Sequence, residues 1–206
     1  MSKTENTALV WYRNDLRTVD HLGLKKAVKS GYRVVAYYTF NPKHYHTHRW
    51  GFKKTDRFRA QFLIESVQAL QQALKSLKIS LIIDTKTPEK VLPEWIKKYN
   101  VKEIYLQDEW TEEEKKEEEA VSAQIDSNIT WNRNYEQFLF HPSDLPFSRS
   151  QVPEIFGTFR KRCENEVQLR PSLPSLAALP TSNRIVVDDK VPTLADLGLP
   201  PLENDL

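Results

Sequence analysis

Apolar residues along the chain alternate between short continuous runs and wider helical spacing. Thr7-Ala8-Leu9-Val10-Trp11-Tyr12 is rich in β-branched and aromatic residues and stops at the polar Arg13-Asn14-Asp15. That pattern predicts a buried strand. Four further strands are predicted at residues 33–40, 79–84, 102–107 and 128–131. The second has too few polar positions for a wet face, as a parallel sheet covered on both sides requires. Leu22 to Lys29 predicts a helix with Asp20 as its N-cap and Gly31 at the left-handed position past its end. Phe58, Phe62, Val67, Leu70, Leu74 and Leu77 recur at helical spacing, which predicts one buried stripe on a long helix capped by Thr55 or Asp56. Pro88 opens the next helix, with Val91, Leu92, Trp95 and Ile96 on its apolar face. Glu112 to Ile125 predicts a helix whose acidic first turn suits the positive end of its dipole.

Strand and helix thus alternate five times. With right-handed crossovers this predicts a doubly wound α/β fold of the Rossmann-like kind: a five-stranded parallel sheet with helices on both faces. The pattern fills residues 1–167. From Gln168 onward it fades, and half of the twelve prolines lie in this last stretch. Residues 168–206 therefore read as a Pro-rich linker, or an extended tail lying on the domain.

Composition narrows the function classes. Hydrophobic residues make up 39% of the 206 and charged residues 28%, the balance of a soluble globular protein. No apolar run approaches the length of a membrane span, and the first residues lack the apolar centre of a signal peptide. The one cysteine, Cys163, cannot form an internal disulfide, so a cytoplasmic location is expected. A formal net charge of +2 is low for a domain that holds DNA mainly through phosphates. The basic cluster Lys53, Lys54, Arg57, Arg59 and the acidic stretch 112–119 read as solvated helix faces.

With five glycines, neither GxGxxG nor a P-loop can be built, which argues against a standard dinucleotide or ATP site. In such a sheet, ligands sit beyond the carboxyl ends of the strands, where strand order reverses. The loops there are Arg13–Arg17, Asn41–Lys54 and Asp108-Glu109-Trp110. His44, His46 and His48 alternate, but no cysteine or carboxylate stands nearby in sequence to complete a metal site, and the segment reads as a solvated loop. Cys163 has Lys161 and Arg162 beside it, yet reads as a half-exposed helix cysteine rather than a nucleophile. No catalytic and no metal-binding residue is assigned.

Several segments are similar to one family. Val10-Trp11-Tyr12-Arg13-Asn14-Asp15-Leu16-Arg17 resembles the opening strand and loop of photolyases and cryptochromes. Lys54-Thr55, the stretch 59–66, Leu139-Phe140-His141-Pro142-Ser143-Asp144-Leu145-Pro146-Phe147, the stretch 153–161 and Val191-Pro192-Thr193-Leu194-Ala195-Asp196-Leu197-Gly198 resemble the DASH-type branch. Two positions depart from the family pattern: Phe-Asp-Pro becomes Phe40-Asn41-Pro42, and Asp-Asn becomes Asp20-His21.

The resemblance implies the N-terminal antenna domain of a DNA photolyase or DASH-type cryptochrome. Its antenna chromophore would be methenyltetrahydrofolate or a deazaflavin. FAD, the lesion pocket and most DNA contacts would belong to a C-terminal helical domain absent from this chain. The full-length protein would be a deoxyribodipyrimidine photo-lyase, splitting cyclobutane pyrimidine dimers in light, and this chain alone would show no repair. By position, Glu109 matches a carboxylate that contacts the folate in DASH proteins. Loop placement adds Phe40 and Trp110 as stacking rings and Arg13 and Lys54 as partners for the folate's carboxylate. The alternative is a stand-alone folate- or nucleotide-binding or signalling module, with a helical-domain partner or self-association covering its exposed apolar surface. A nucleotide-binding protein of the universal-stress or electron-transfer-flavoprotein kind shares the architecture but is disfavoured by the missing phosphate loop.

Overall fold

A computed structural model of the chain describes residues 6–183, 185–187 and 190–202. Strands β1 (Thr7–Trp11), β2 (Arg33–Thr39), β3 (Ser80–Asp84), β4 (Val101–Gln107) and β5 (Thr130–Asn134) form one parallel sheet in the order β3-β2-β1-β4-β5. Helices α1 (Leu22–Lys29), α2 (Arg57–Ser76), α3 (Pro88–Lys98) and α4 (Glu112–Ser122) connect them in turn, and α5 (Phe156–Glu166) follows the completed sheet. The doubly wound fold expected from the alternation is the one found.

β1 is the central strand, and all five of its residues are buried. Leu9 pairs with Val35 on one side and with Ile104 on the other. Because side chains alternate, β1 feeds two cores. Ala8, Val10 and Tyr12 pack with Leu24 of α1 and Val67 and Leu74 of α2. Leu9 and Trp11 pack with Leu92 of α3 and Val121 of α4 on the opposite face. Each large side chain buried this way contributes roughly 1.5–3 kcal/mol.

Local details differ from the sequence expectation in five places. His21, not Asp20, caps α1: the Leu24 N–H donates to its Nδ1 at 3.0 Å. Asp20 instead sits at φ 51°, and its carboxylate accepts from the Leu173 N–H. Phe58 and Phe62 do not join the buried stripe of α2; they are 66% and 68% exposed. That stripe is Ala60, Ile64, Val67, Leu70 and Leu74, one helical face apart from the two rings. β5 starts at Thr130 rather than Asn128, and α4 ends at Ser122 rather than Ile125. Cys163 is buried rather than half-exposed, and burial pushes its thiol pKa up. Gly31 takes φ 77°, the left-handed conformation past the end of α1 that glycine adopts without steric cost.

After residue 167 no strand forms among the described residues, but the segment is packed. Leu179, Leu194 and Leu199 join the core beneath α1 and α2, while Ile185 joins the other one. The Leu179 N–H donates to the Leu77 carbonyl at 3.0 Å, and the Ser80 hydroxyl at the start of edge strand β3 donates to the Ile185 carbonyl. The segment thus closes over an edge whose unpaired backbone is otherwise an aggregation hazard.

Candidate functional site

The carboxyl ends of β1 and β2 open into a cleft of about 680 Å³, beside the point where strand order reverses. Trp11, Tyr12 and Arg13 from the end of β1 meet Tyr38, Thr39 and Asn41 from the end of β2 along it. One wall is the β2–α2 loop with the start of α2, bringing Lys43, His44, Arg49, Lys54 and Arg59. The other is the first half of α4, with Glu113, Glu114 and Glu117. The cleft is therefore cationic on one side and anionic on the other.

Its floor carries unused hydrogen-bonding capacity. Trp11 Nε1–H and the Tyr12 hydroxyl are buried and have no hydrogen-bond partner among the described residues. A buried donor left this way costs on the order of 1–3 kcal/mol. Burial holds the Tyr12 phenol well above its ordinary pKa, so it stays an O–H donor. The Trp11 ring is fixed by Tyr37 and Trp131, each 6.3 Å away, and by the Arg13 guanidinium 5.3 Å from its centre.

Two contacts tie the walls together. Lys54 Nζ meets the Glu113 carboxylate across the opening, and the Asn41 amide donates to Glu117. Asn41 Oδ1 also accepts from the Lys43 N–H at 3.0 Å, capping the turn Pro42–His44. Asparagine at 41, a departure from the family pattern, thus supplies the donor that Glu117 needs. Burial raises the Glu117 pKa, with the Asn41 hydrogen bond working against that rise. On the cationic wall, burial and then the nearby Lys54 charge lower the His44 pKa.

The loop after β1 is held by a buried pair. His21 Nε2 lies 2.8 Å from Asp15 Oδ2 while its Nδ1 accepts the α1 cap, so the neutral Nε2–H tautomer satisfies both contacts. Burial alone would push the Asp15 carboxyl up. Hydrogen bonds from His21 and the Arg13 N–H outweigh it and hold the pKa below the ordinary 3.8.

The five residues singled out from the sequence fall in three places. Arg13 and Lys54 line the cleft. Arg13 is already engaged: its Nη1 lies 2.8 Å from Glu118, its Nη2 donates to the Gln107 carbonyl, and its Nε is 4.0 Å from Glu109. Glu109 and Trp110 form a neighbouring shelf. Glu109 is 6% exposed, accepts from Asn14 at 3.2 Å and from Gln137, and is raised in pKa by burial. Trp110 is 55% exposed, edge-on to Tyr135 at 5.1 Å and Phe138 at 5.9 Å. Phe40 belongs to neither; it does not line the cleft and lies in the core, edge-on to Tyr38. Sequence reading placed Asn41 in a loop at the strand ends but missed Trp11, Tyr12, Glu114 and Glu117. Their one visible signal was polar-tipped aromatic residues ending a buried strand. Among the described residues, no three metal-ligating side chains converge, and no helix is long and apolar enough to cross a membrane.

The sequence profile of the DNA photolyase family matches residues 8–181. A cryptochrome DASH from Gloeobacter violaceus is 39% identical over 94% of this chain, and the match takes in 39% of that protein's length. A cryptochrome from Synechocystis sp. PCC6803 superposes on the whole chain with a TM-score of 0.86 at 35% identity, over 42% of its own length. An archaeal photolyase from Sulfolobus tokodaii, described with two FAD molecules and a novel light-harvesting cofactor, shares the fold at TM-score 0.68 and 20% identity, over 84% of this chain and 37% of its own. The chain spans about two fifths of the length of these proteins. With its parallel sheet, its motifs and these matches, the chain belongs to the DNA photolyase family, as the N-terminal α/β domain of a DASH-type cryptochrome or photolyase.

Proposed function

We propose that the chain is a chromophore-binding antenna domain, and that its chromophore sits in the cleft at the ends of β1 and β2. The observation that carries this is the cleft floor, where buried Trp11 Nε1–H and the Tyr12 hydroxyl lack partners. Those donors, with the cationic wall at Lys54 and Arg59, fit an aromatic ring system bearing acceptor atoms and an anionic tail. Methenyltetrahydrofolate and a deazaflavin both meet that description. When bound, such a group absorbs near-ultraviolet or blue light and passes excitation to a flavin. Here Tyr12 and Trp11 hold the ring by its acceptors, Lys54 meets the tail, and the Asn41–Glu117 contact keeps the walls in register.

A second placement has its own support. Glu109 is a buried carboxylate whose hydrogen-bond partners are side-chain amides, and Trp110, Tyr135 and Phe138 form an exposed aromatic shelf beside it. A folate ring on Trp110, its N–H groups on Glu109, would use that shelf.

On this reading the longer protein is a deoxyribodipyrimidine photo-lyase or blue-light receptor. Its FAD and most of its DNA contacts lie in a helical domain outside residues 1–206, and it works in the cytoplasm. Direct titration with methenyltetrahydrofolate and with a deazaflavin, followed by fluorescence, tests the proposal. Tyr12→Phe and Lys54→Ala should weaken binding about 10-fold if the cleft is used. Glu109→Gln and Trp110→Ala should do so if the shelf is used. No saturable binding of either chromophore would sink the antenna reading. Dimer repair by the isolated chain under light would sink the assignment of the chemistry to a separate domain.

A further inference from the structure

Outside the cleft, the surface carries a row of exposed rings set among cations. Trp50, Phe52, Phe58 and Phe62 are between 61% and 68% exposed, and none of them lines the cleft. Large apolar side chains scattered singly over a surface are ordinary, but these four fall within residues 50–62. Phe58 and Phe62 stand four residues apart on one side of α2, away from its buried stripe. Trp50 and Phe52 belong to the hairpin just before it, where the His48 ring stacks on each, 6.4 and 5.9 Å away.

Cations accompany the rings. The Arg49 guanidinium lies 4.8 Å from the centre of the Trp50 ring, and that of Arg57 lies 5.3 Å from the centre of Phe58. Lys53 Nζ reaches the neutral Gly198 carbonyl at 3.4 Å. Across residues 43–62 the single acidic residue is Asp56, whose carboxylate accepts the Arg57 N–H at the start of α2. Lys43 and Lys54 turn to Glu89 and Glu113 on other elements, whereas Arg49 and Lys53 have no carboxylate partner among the described residues.

Whatever covers this row must suit both kinds of side chain. A purely apolar protein face would strand the cations, and an acidic one would strand the rings. His48 and the two arginines already meet the faces of Trp50 and Phe58, so stacked nucleobases would find little free ring surface. The boundary of an anionic lipid layer meets both demands: Trp and Phe sink to the level of the headgroups, and Arg and Lys stay among the phosphates. We propose that the hairpin closed by Thr47 and Lys53, with the first turns of α2, is a docking surface for an anionic lipid membrane. The chain would lie on such a layer rather than cross it. This inference does not depend on the antenna reading, because the rings lie outside the cleft.

The test is cosedimentation of the 206-residue chain with two kinds of vesicle, one of phosphatidylcholine and one of equal parts phosphatidylcholine and phosphatidylglycerol. Binding to the anionic vesicles should be at least ~10-fold the stronger and should fall as salt is raised. Lys53→Gln should weaken it about 5-fold, and Trp50→Ser combined with Phe58→Ser about 10-fold. Lipids brominated on their chains should quench tryptophan emission of the parent chain and spare that of Trp50→Phe, a signature of insertion that a change in stability does not imitate. Phe156→Ser, which removes an equally exposed ring on α5, should leave binding unchanged, and matching unfolding curves establish that the variants fold. Equal binding to the two vesicles, binding to neither, or an equal loss on Phe156→Ser overturns the proposal. A single-stranded oligonucleotide that binds through Trp50 and Lys53 while vesicles do not would give the row to nucleic acid instead, and also overturns it. Chromophore titrations are untouched by these outcomes, so the antenna reading stands or falls separately.

Discussion

At position 41 a single atom decides whether the two walls of the cleft attract or repel. The Asn41 amide donates to Glu117, whereas an aspartate would set two carboxylates face to face. Glu117 already has a pKa raised above the ordinary 4.5 by burial. Its native state binds the proton more tightly than the unfolded chain, so the cost of its charge is absent below the unfolded value and sets in as pH rises above it. Asn41→Asp should therefore cost roughly 1–3 kcal/mol at neutral pH, with most of the loss recovered near the unfolded carboxylate pKa. Urea titrations at the two pH values check this; a deficit independent of pH would mean the substitution acts through the Pro42 turn instead. Asp15 behaves in the opposite sense. Its pKa is lowered below 3.8, so its contribution is present above that value and is lost as pH falls through the folded pKa. None of these pairings is legible from neighbouring letters, because Asn41 and Glu117 meet only after α4 folds over the sheet. Even the departure at His21 read as a weakening of the match, yet its imidazole both caps α1 and holds Asp15.

Among the elements, α2 shows how far periodicity reaches. The helix was legible, and so was the inward face of its later turns at Val67, Leu70 and Leu74, but in the first turns the two largest rings drew the stripe toward themselves. Small Ala60 marks the face that packs, while Phe58 and Phe62 look outward with Arg57 5.3 Å from the Phe58 ring centre. Leu74→Ala should therefore cost about 2–5 kcal/mol, whereas Phe62→Ser should stay within about 0.5 kcal/mol. Comparable losses from both, measured by thermal or urea unfolding, would return Phe62 to the core. The inner strands were the easier part: buried on both faces, β1, β2 and β3 show short apolar runs bounded by polar and turn residues. β5 slipped by two residues because it lies at the sheet edge, where its exposed Thr130 and Arg133 lack that signature. α4 was legible as a helix, but its acidic side read as solvated surface, and only the opposing β2–α2 loop makes it a wall.

For the whole molecule, the sheet order places rigidity and adjustability on opposite sides of the cleft. β1 is flanked on both edges, buried on both faces, and carries Trp11 at the floor. The β2–α2 loop across from it is mostly exposed, with His48 stacked on Trp50 and on Phe52 in a small hairpin that the Thr47–Lys53 bridge closes. In deuterated water the amides of residues 8–11 should exchange only through global unfolding, and those of residues 46–53 through local opening orders of magnitude faster. Exchange at β1 as fast as at the hairpin would mean the sheet opens from its centre. A ring seated on that floor would be held by the last part of the protein to loosen and entered past one of the first. Heating should then broaden and release the bound dye's spectrum by opening the hairpin side, well before the sheet beneath it melts.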